Sequence, residues 1–211
     1  MIPTFNSLIG SPALNLVQEV VKPILQIVSI ASKQIVDQQL VHASFLENKI
    51  TEQLCKTMIA VKNHLSKRLR IEEEVGTFHT TETGRIDFKI IYDIDERNYF
   101  GIECKRLSGK RKERLDREYV TKGMMRFITG KYSYSHQWGM MVGYVISGTC
   151  KRVIQLVRER IDEYKKPLRI ENEFAGETRF GRYPFLYSSH HQQEVTNTLI
   201  TLLHYFFEVQ S

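Results

Sequence analysis

The sequence predicts an α/β fold, a mixed central sheet flanked by helices, and three observations carry that prediction. From residue 12 to about residue 68 the apolar positions recur every three or four residues, as on amphipathic helices. From Leu69 the period shortens to that of strands. Further on, QWGMMVGYVISG is apolar almost throughout, as expected of a strand buried on both faces. The predicted order is helix, three strands, helix, strand, with an N-terminal helical arm over 1–44, a main domain over 45–211 and C-terminal helical additions.

Each element follows from its local pattern. Leu14, Val17, Val20, Val21, Ile24, Ile27 and Val28 form one helical stripe that Pro23 should kink or divide. Phe45, Ile50, Leu54, Met58, Val61 and Leu65 form a second stripe, and Lys62, Lys67 and Arg68 suit the negative end of its dipole. LRIEEEV reads as a short strand, TFHTTETG as a loop, and GRIDFKIIYDI and NYFGIECKRL as two strands joined by the polar turn DIDERN. SGKRKERLD is a basic loop, and EYVTKGMMRFITG a helix whose stripe is Val120, Met124, Phe127 and Ile128, ended by Gly130. After the buried strand, Cys150 to Lys165 is helical, Leu168 to Phe174 and Tyr183 to Tyr187 are edge strands, and Glu194 to Val209 is expected to be a closing helix.

Composition excludes several classes. The 211 residues are 42% hydrophobic and 26% charged, with 12 Gly and 5 Pro, which rules out disordered, collagenous and low-complexity chains. Cys55, Cys104 and Cys150 are too few and too scattered for a disulfide framework or a zinc finger. The apolar stretch from Leu14 to Val36 is broken by Glu19, Lys22, Pro23 and Lys33, so no membrane span is expected, and with no secretory signal the expected location is the cytoplasm. Phosphate-binding glycine loops, nucleophile elbows and H-E-x-x-H motifs are absent.

The chemistry concentrates on the hairpin. The midpoint between Asp87 and Glu103 is Asp95, in the predicted turn, so the two carboxylates should stand opposite each other. Alternation puts Glu103 and Lys105 on one face and Phe100, Ile102 and Cys104 on the other, with Ile86, Phe88 and Ile90 taken as the apolar face of the neighbouring strand. Two carboxylates and an ammonium on a sheet form a site for a divalent cation, and oxygen ligands favour Mg2+, with Mn2+ able to substitute. The plainer alternative is a cross-strand salt-bridge ladder on a solvent-facing sheet, which Lys89 would fit equally well.

Asp87, fifteen residues, and then Glu103-Cys104-Lys105, within the order helix, three strands, helix, strand, resembles the PD-(D/E)xK nuclease superfamily, also called restriction endonuclease-like. The resemblance covers about residues 45 to 148; it departs from the motif at Ile86, which stands in place of a Pro that the superfamily often lacks. It implies that Asp87, Glu103 and the Cys104 backbone carbonyl bind the metal, that Lys105 assists the attacking water, and that a further Glu on the first core helix stands nearby. Glu52 or Glu47 could fill that last role, Glu52 lying one turn deeper into the helix. The implied activity is Mg2+-dependent endonucleolytic hydrolysis of phosphodiester bonds, in DNA before RNA, with phage defence or restriction as the role by analogy. The alternative is a catalytically silent subunit of the same fold that binds nucleic acid or a partner protein.

From Lys105 to Lys131 there are ten basic residues against three acids. Lys110, Arg111, Lys112, Lys122, Arg126 and Lys131 are the candidate nucleic-acid contacts, and Lys122 and Arg126, one turn apart, should face one way with Tyr119 beside them. GKYSYSHQW could stack on bases or pack under the sheet through Tyr132, Tyr134, His136 and Trp138. His190 and His191 are expected to serve a turn or cap the last helix. The apolar surface from Phe5 to Val36 is the candidate contact for a homodimer or a partner protein.

Overall fold

The computed structural model describes residues 16–66, 68–77, 84–93, 95–96, 99–132 and 136–209. Phe5 to Leu14, most of the TFHTTETG loop, residues 94, 97 and 98 of the DIDERN turn and Tyr134 lie outside them. The strands in chain order are β1 (Arg70–Thr77), β2 (Gly84–Ile91), β3 (Tyr99–Ser108), β4 (Trp138–Ser147), β5 (Ile170–Gly176), β6 (Leu186–Gln192) and β7 (Leu199–Glu208). They form one seven-stranded mixed sheet in the order β1-β2-β3-β4-β7-β6-β5. β3, β4 and β7 run parallel at its centre, and antiparallel ladders extend it on both sides.

Helices cover both faces. On one side lie α1 (Lys22–Asp37) and α2 (Glu47–Leu65). On the other lie α4 (Cys150–Glu163) and α3, the latter built from Leu115–Glu118, a π-helical Tyr119–Met124 and Met125–Ile128. The first apolar cluster joins Ile24, Leu25, Val28 and Ile35 of α1 to Ile50, Leu54 and Met58 of α2 and to Ile102, Cys104, Val142 and Tyr144 of the sheet. The second joins Val120, Phe127 and Ile128 of α3 to Val153 and Val157 of α4 and to Leu107, Met141 and Phe206 beneath them. Each such side chain contributes about 1.5–3 kcal/mol by leaving water.

Pro23 does mark a boundary. A π-helical turn, Val17–Val21, runs directly into α1, and Pro23, which has no N–H to donate, sits in the first turn of α1 where the helical hydrogen-bond spacing changes. The α1 stripe read as open to a partner is instead spent inside the chain: Ile24, Leu25, Ile27, Val28, Ala31 and Ile35 are all fully buried. Among the described residues no helix is long and apolar enough to cross a membrane.

The hairpin register is the one the numbering implied. Phe88 pairs with Ile102, Lys89 with Gly101, Ile90 with Phe100 and Ile91 with Tyr99, a register that sets Asp87 opposite Glu103. The assumed single apolar face of β2 is not there, however. Phe88 and Ile90 pack into the first cluster and Ile86 into the second, so the strand changes side at Asp87.

The C-terminal third departs most from the sequence expectation. Glu194 to Val209 is not a closing helix, because Leu199–Glu208 is β7, an interior strand parallel to β4. Its run LITLLHYFFE is apolar at successive positions and has no polar face, which suits a strand covered on both sides and not a surface helix. With β7 central, β6 becomes interior as well, and only β5 is an edge on that side. His190 and His191 therefore lie on a strand instead of capping a helix, and His191 is fully buried.

Candidate active site

β2 and β3 hold their ladder through Phe88 and Ile102, and the site opens just past that pair. There the Asp87 carboxylate replaces a backbone acceptor: the Cys104 N–H donates to Asp87 Oδ2 at 2.7 Å. One residue on either side of Cys104, Glu103 and Lys105 share the opposite face of β3. Glu103 is fully buried and Lys105 only 8% exposed, which removes the solvent-facing ladder as an explanation.

Lys105 spends all three ammonium hydrogens locally. Its Nζ lies 2.9 Å from Glu103 Oε1, 2.9 Å from Glu47 Oε1 and 2.8 Å from the Cys104 carbonyl oxygen. Burial pulls its pKa down, and the carboxylates of Glu103, Glu47 and Asp87 more than reverse that, so Lys105 remains a cation. Glu47 belongs to the first turn of α2 and also accepts from the Arg106 N–H, at 2.8 Å through Oε2. Between the two acids on this helix, the structure brings Glu47 to the site. Glu52 faces outward and pairs with Lys56, because five residues of helix carry it to another side of the cylinder.

From the other layer comes Arg126. Its Nη1 donates to Glu103 Oε1 at 2.9 Å and to the Tyr132 hydroxyl at 2.5 Å, and that hydroxyl donates in turn to the Arg85 carbonyl. Lys122, expected beside Arg126, instead pairs with Glu118 at 2.8 Å on the solvent side, and Tyr119 is buried. The π-helical Tyr119–Met124 changes the rotation per residue, so spacing of four no longer means one face.

The basic loop goes elsewhere. Arg111 reaches Glu159 and Glu163 of α4 and Lys110 reaches Glu113, while Lys112 is exposed. None of these ion pairs involves the Asp87–Glu103 carboxylates, and Lys131 is half-buried. Trp138 packs edge-on against Phe180, as a packing residue would.

A buried polar thread that the sequence did not reveal supports the site from the α2 side. The Tyr144 hydroxyl donates to Thr51 Oγ1 at 3.2 Å, and Thr51 Oγ1 donates to the Glu47 carbonyl at 2.9 Å. The turn of α2 that carries Glu47 is thereby tied to β4, the strand beside β3. The only signal in the sequence was a tyrosine inside an otherwise apolar strand.

Electrostatically the site wants a cation. Burial, reinforced by the Asp87 charge, pushes the Glu103 carboxyl up to about 7 in spite of Lys105 and Arg126. Burial raises Asp87 as well, against the pull of Lys105 and of the Cys104 N–H. Glu103 Oε2 is buried and has no hydrogen-bond partner. Among the described residues there is no group of three or more His, Cys, Asp or Glu placed to hold a metal ion. Two carboxylates and a backbone carbonyl nevertheless fit Mg2+, which keeps several waters and takes its remaining ligands from phosphate. The orphaned Oε2 is the observation behind that fit.

No family model matches this chain, nor does any curated protein or solved structure.

Proposed function

We propose that this protein is a metal-dependent nuclease of the PD-(D/E)xK kind, hydrolysing phosphodiester bonds with DNA as the preferred substrate. The observation that carries the reading is the juxtaposition of Asp87, the orphaned Glu103 Oε2 and Lys105 at the point where β2 and β3 part. The helix, three strands, helix, strand order up to β4, with β3 and β4 parallel, supports it.

Asp87, Glu103 Oε2 and the second lone pair of the Cys104 carbonyl would hold Mg2+ or Mn2+. Bound there, the ion supplies Lewis-acid polarisation of the phosphate and lowers the pKa of a coordinated water. Glu47 and the Cys104 carbonyl fix the Lys105 ammonium, which donates hydrogen bonds and offsets the negative charge that develops during attack. Held as a cation with its three hydrogens committed to Glu103, Glu47 and the Cys104 carbonyl, Lys105 acts through its charge and does not serve as the base. Arg126, 37% exposed at its side chain, is the cation in reach of an incoming phosphate.

A second reading, a subunit of the same architecture with an unused metal site, is favoured by the ion pairs that Glu103 already makes with Lys105 and Arg126. The test is cleavage of supercoiled plasmid and of single-stranded DNA and RNA with Mg2+, Mn2+ or chelator, beside Asp87→Ala and Lys105→Ala. The proposal expects metal-dependent cutting that falls at least 100-fold in both variants, roughly the worth of one preorganised group. A salt-sensitive DNA shift without any cutting would favour the second reading, and cutting that survives both substitutions would place the chemistry elsewhere.

A further inference from the structure

We propose that Tyr132 is a positioning residue of this site, holding Arg126 in place for the phosphate; the inference rests on the nuclease reading above. Tyr132 follows α3 by four residues, and its side chain is fully buried. Its ring meets Phe127 edge-on at 5.6 Å between centroids, and the Arg126 guanidinium lies 5.3 Å from its centre. The direction of each hydrogen bond is fixed by chemistry. A guanidinium can only donate, so the Tyr132 oxygen accepts from Arg126 Nη1 and its single hydrogen goes to the Arg85 carbonyl.

That carbonyl lies two residues before Asp87 on β2, while the other partner of Arg126 Nη1 is Glu103 on β3. One hydroxyl thus ties α3 to the strand carrying the first carboxylate and fixes the cation resting on the second. With Nη1 held between Tyr132 and Glu103 Oε1, the guanidinium stays on one side of the Glu103 carboxylate and Oε2 is left open on the other. Without the hydroxyl, Arg126 keeps only the Glu103 contact of this pair, and a long side chain regains rotamers that the site had removed.

The experiment compares wild type, Tyr132→Phe, Arg126→Gln and the double variant in single-turnover cleavage of plasmid with Mg2+, and in Mn2+ binding by calorimetry. Phenylalanine keeps the buried ring, so thermal unfolding of the first variant should stay near wild type. Cleavage by Tyr132→Phe is expected to fall roughly tenfold, as for a modest misplacement of a reacting partner. The double variant is expected to be no slower than Arg126→Gln alone, which a merely structural role for Tyr132 would not produce. Wild-type cleavage by Tyr132→Phe, or losses that multiply in the double variant, would overturn the proposal. If wild type cuts nothing, the nuclease reading fails by itself, and Mn2+ affinity then decides: a non-additive change across the four proteins keeps the Tyr132–Arg126 coupling, and equal affinities overturn it.

Discussion

Glu103, the proposed metal ligand, is held in the fold at a cost. Its folded pKa of about 7 lies above the ordinary carboxylate value of 4.5, so the fold prefers the protonated form. That preference stabilises the protein below pH 4.5 and is lost as pH rises through 7, leaving a charged, buried carboxylate roughly 3 kcal/mol less favourable than an exposed one. Glu103→Gln, which removes the charge and keeps the shape, is therefore expected to raise the unfolding temperature at pH 8 without metal while abolishing cleavage. Calorimetric melting beside the cleavage assay checks both halves, and a variant that melts well below wild type would mean that the Lys105 and Arg126 pairs outweigh burial. Asp87, Glu103 and Lys105 were legible in the sequence because strand alternation and a turn midpoint need only counting. Glu47 over Glu52, and the bonds made by Tyr132 and Tyr144, were not, because they depend on how a helix is rotated against a strand 40 to 90 residues away in sequence.

At the scale of elements, the strands past residue 185 are locked by a chain of buried hydrogen bonds. The His191 Nδ1–H donates to the Leu168 carbonyl at 2.8 Å, so His191 Nε2 accepts from Ser189 Oγ at 2.7 Å. Ser189 Oγ in turn accepts from His204 Nε2 at 2.8 Å, and His204 Nδ1 accepts from the Tyr119 hydroxyl at 2.9 Å. Every donor finds an acceptor only while both histidines are neutral. Burial drives His191 down to about 4 and His204 well below its ordinary range. The unfolded chain thus binds more protons between pH 6.5 and about 4, and stability falls as pH drops through that window, by about 1 kcal/mol per unit for each histidine. His191→Asn should flatten the slope of unfolding free energy between pH 7 and 5, and an unchanged slope would contradict the neutral chain. The same helix, α3, packs closely on β4. A Cβ at Gly139 would come 2.6 Å from the Phe127 ring and 3.2 Å from Leu202, whereas one at Gly123 meets the flexible end of Met141. Gly139→Ala is expected to destabilise by about 1–3 kcal/mol and Gly123→Ala by less, as denaturant titration would read. Sequence patterning found the first three strands because each carries a turn or a period that a helix would not, and read β4 from its apolar run alone. It missed β7 because a continuous apolar run fits a buried helix as well as a strand.

The whole molecule is a sheet between two helical layers, and the proposed site sits where an antiparallel hairpin joins the parallel centre. Glu47 reaches it from one layer and Arg126 from the other, so both layers converge on Glu103 and Lys105. The basic loop after β3 is tied back to α4, which separates the charge excess read from the sequence from the carboxylates it was expected to cover. Asp87, Glu103 Oε2 and the Cys104 carbonyl are the proposed cation site. Anomalous scattering from crystals grown with Mn2+ tests it most directly. One peak is expected about 2.1 Å from those oxygens, with Lys105 still bonded to Glu47 and Glu103. Full occupancy at another position, or a protein saturated with Mn2+ that shows no peak between Asp87 and Glu103, would contradict it.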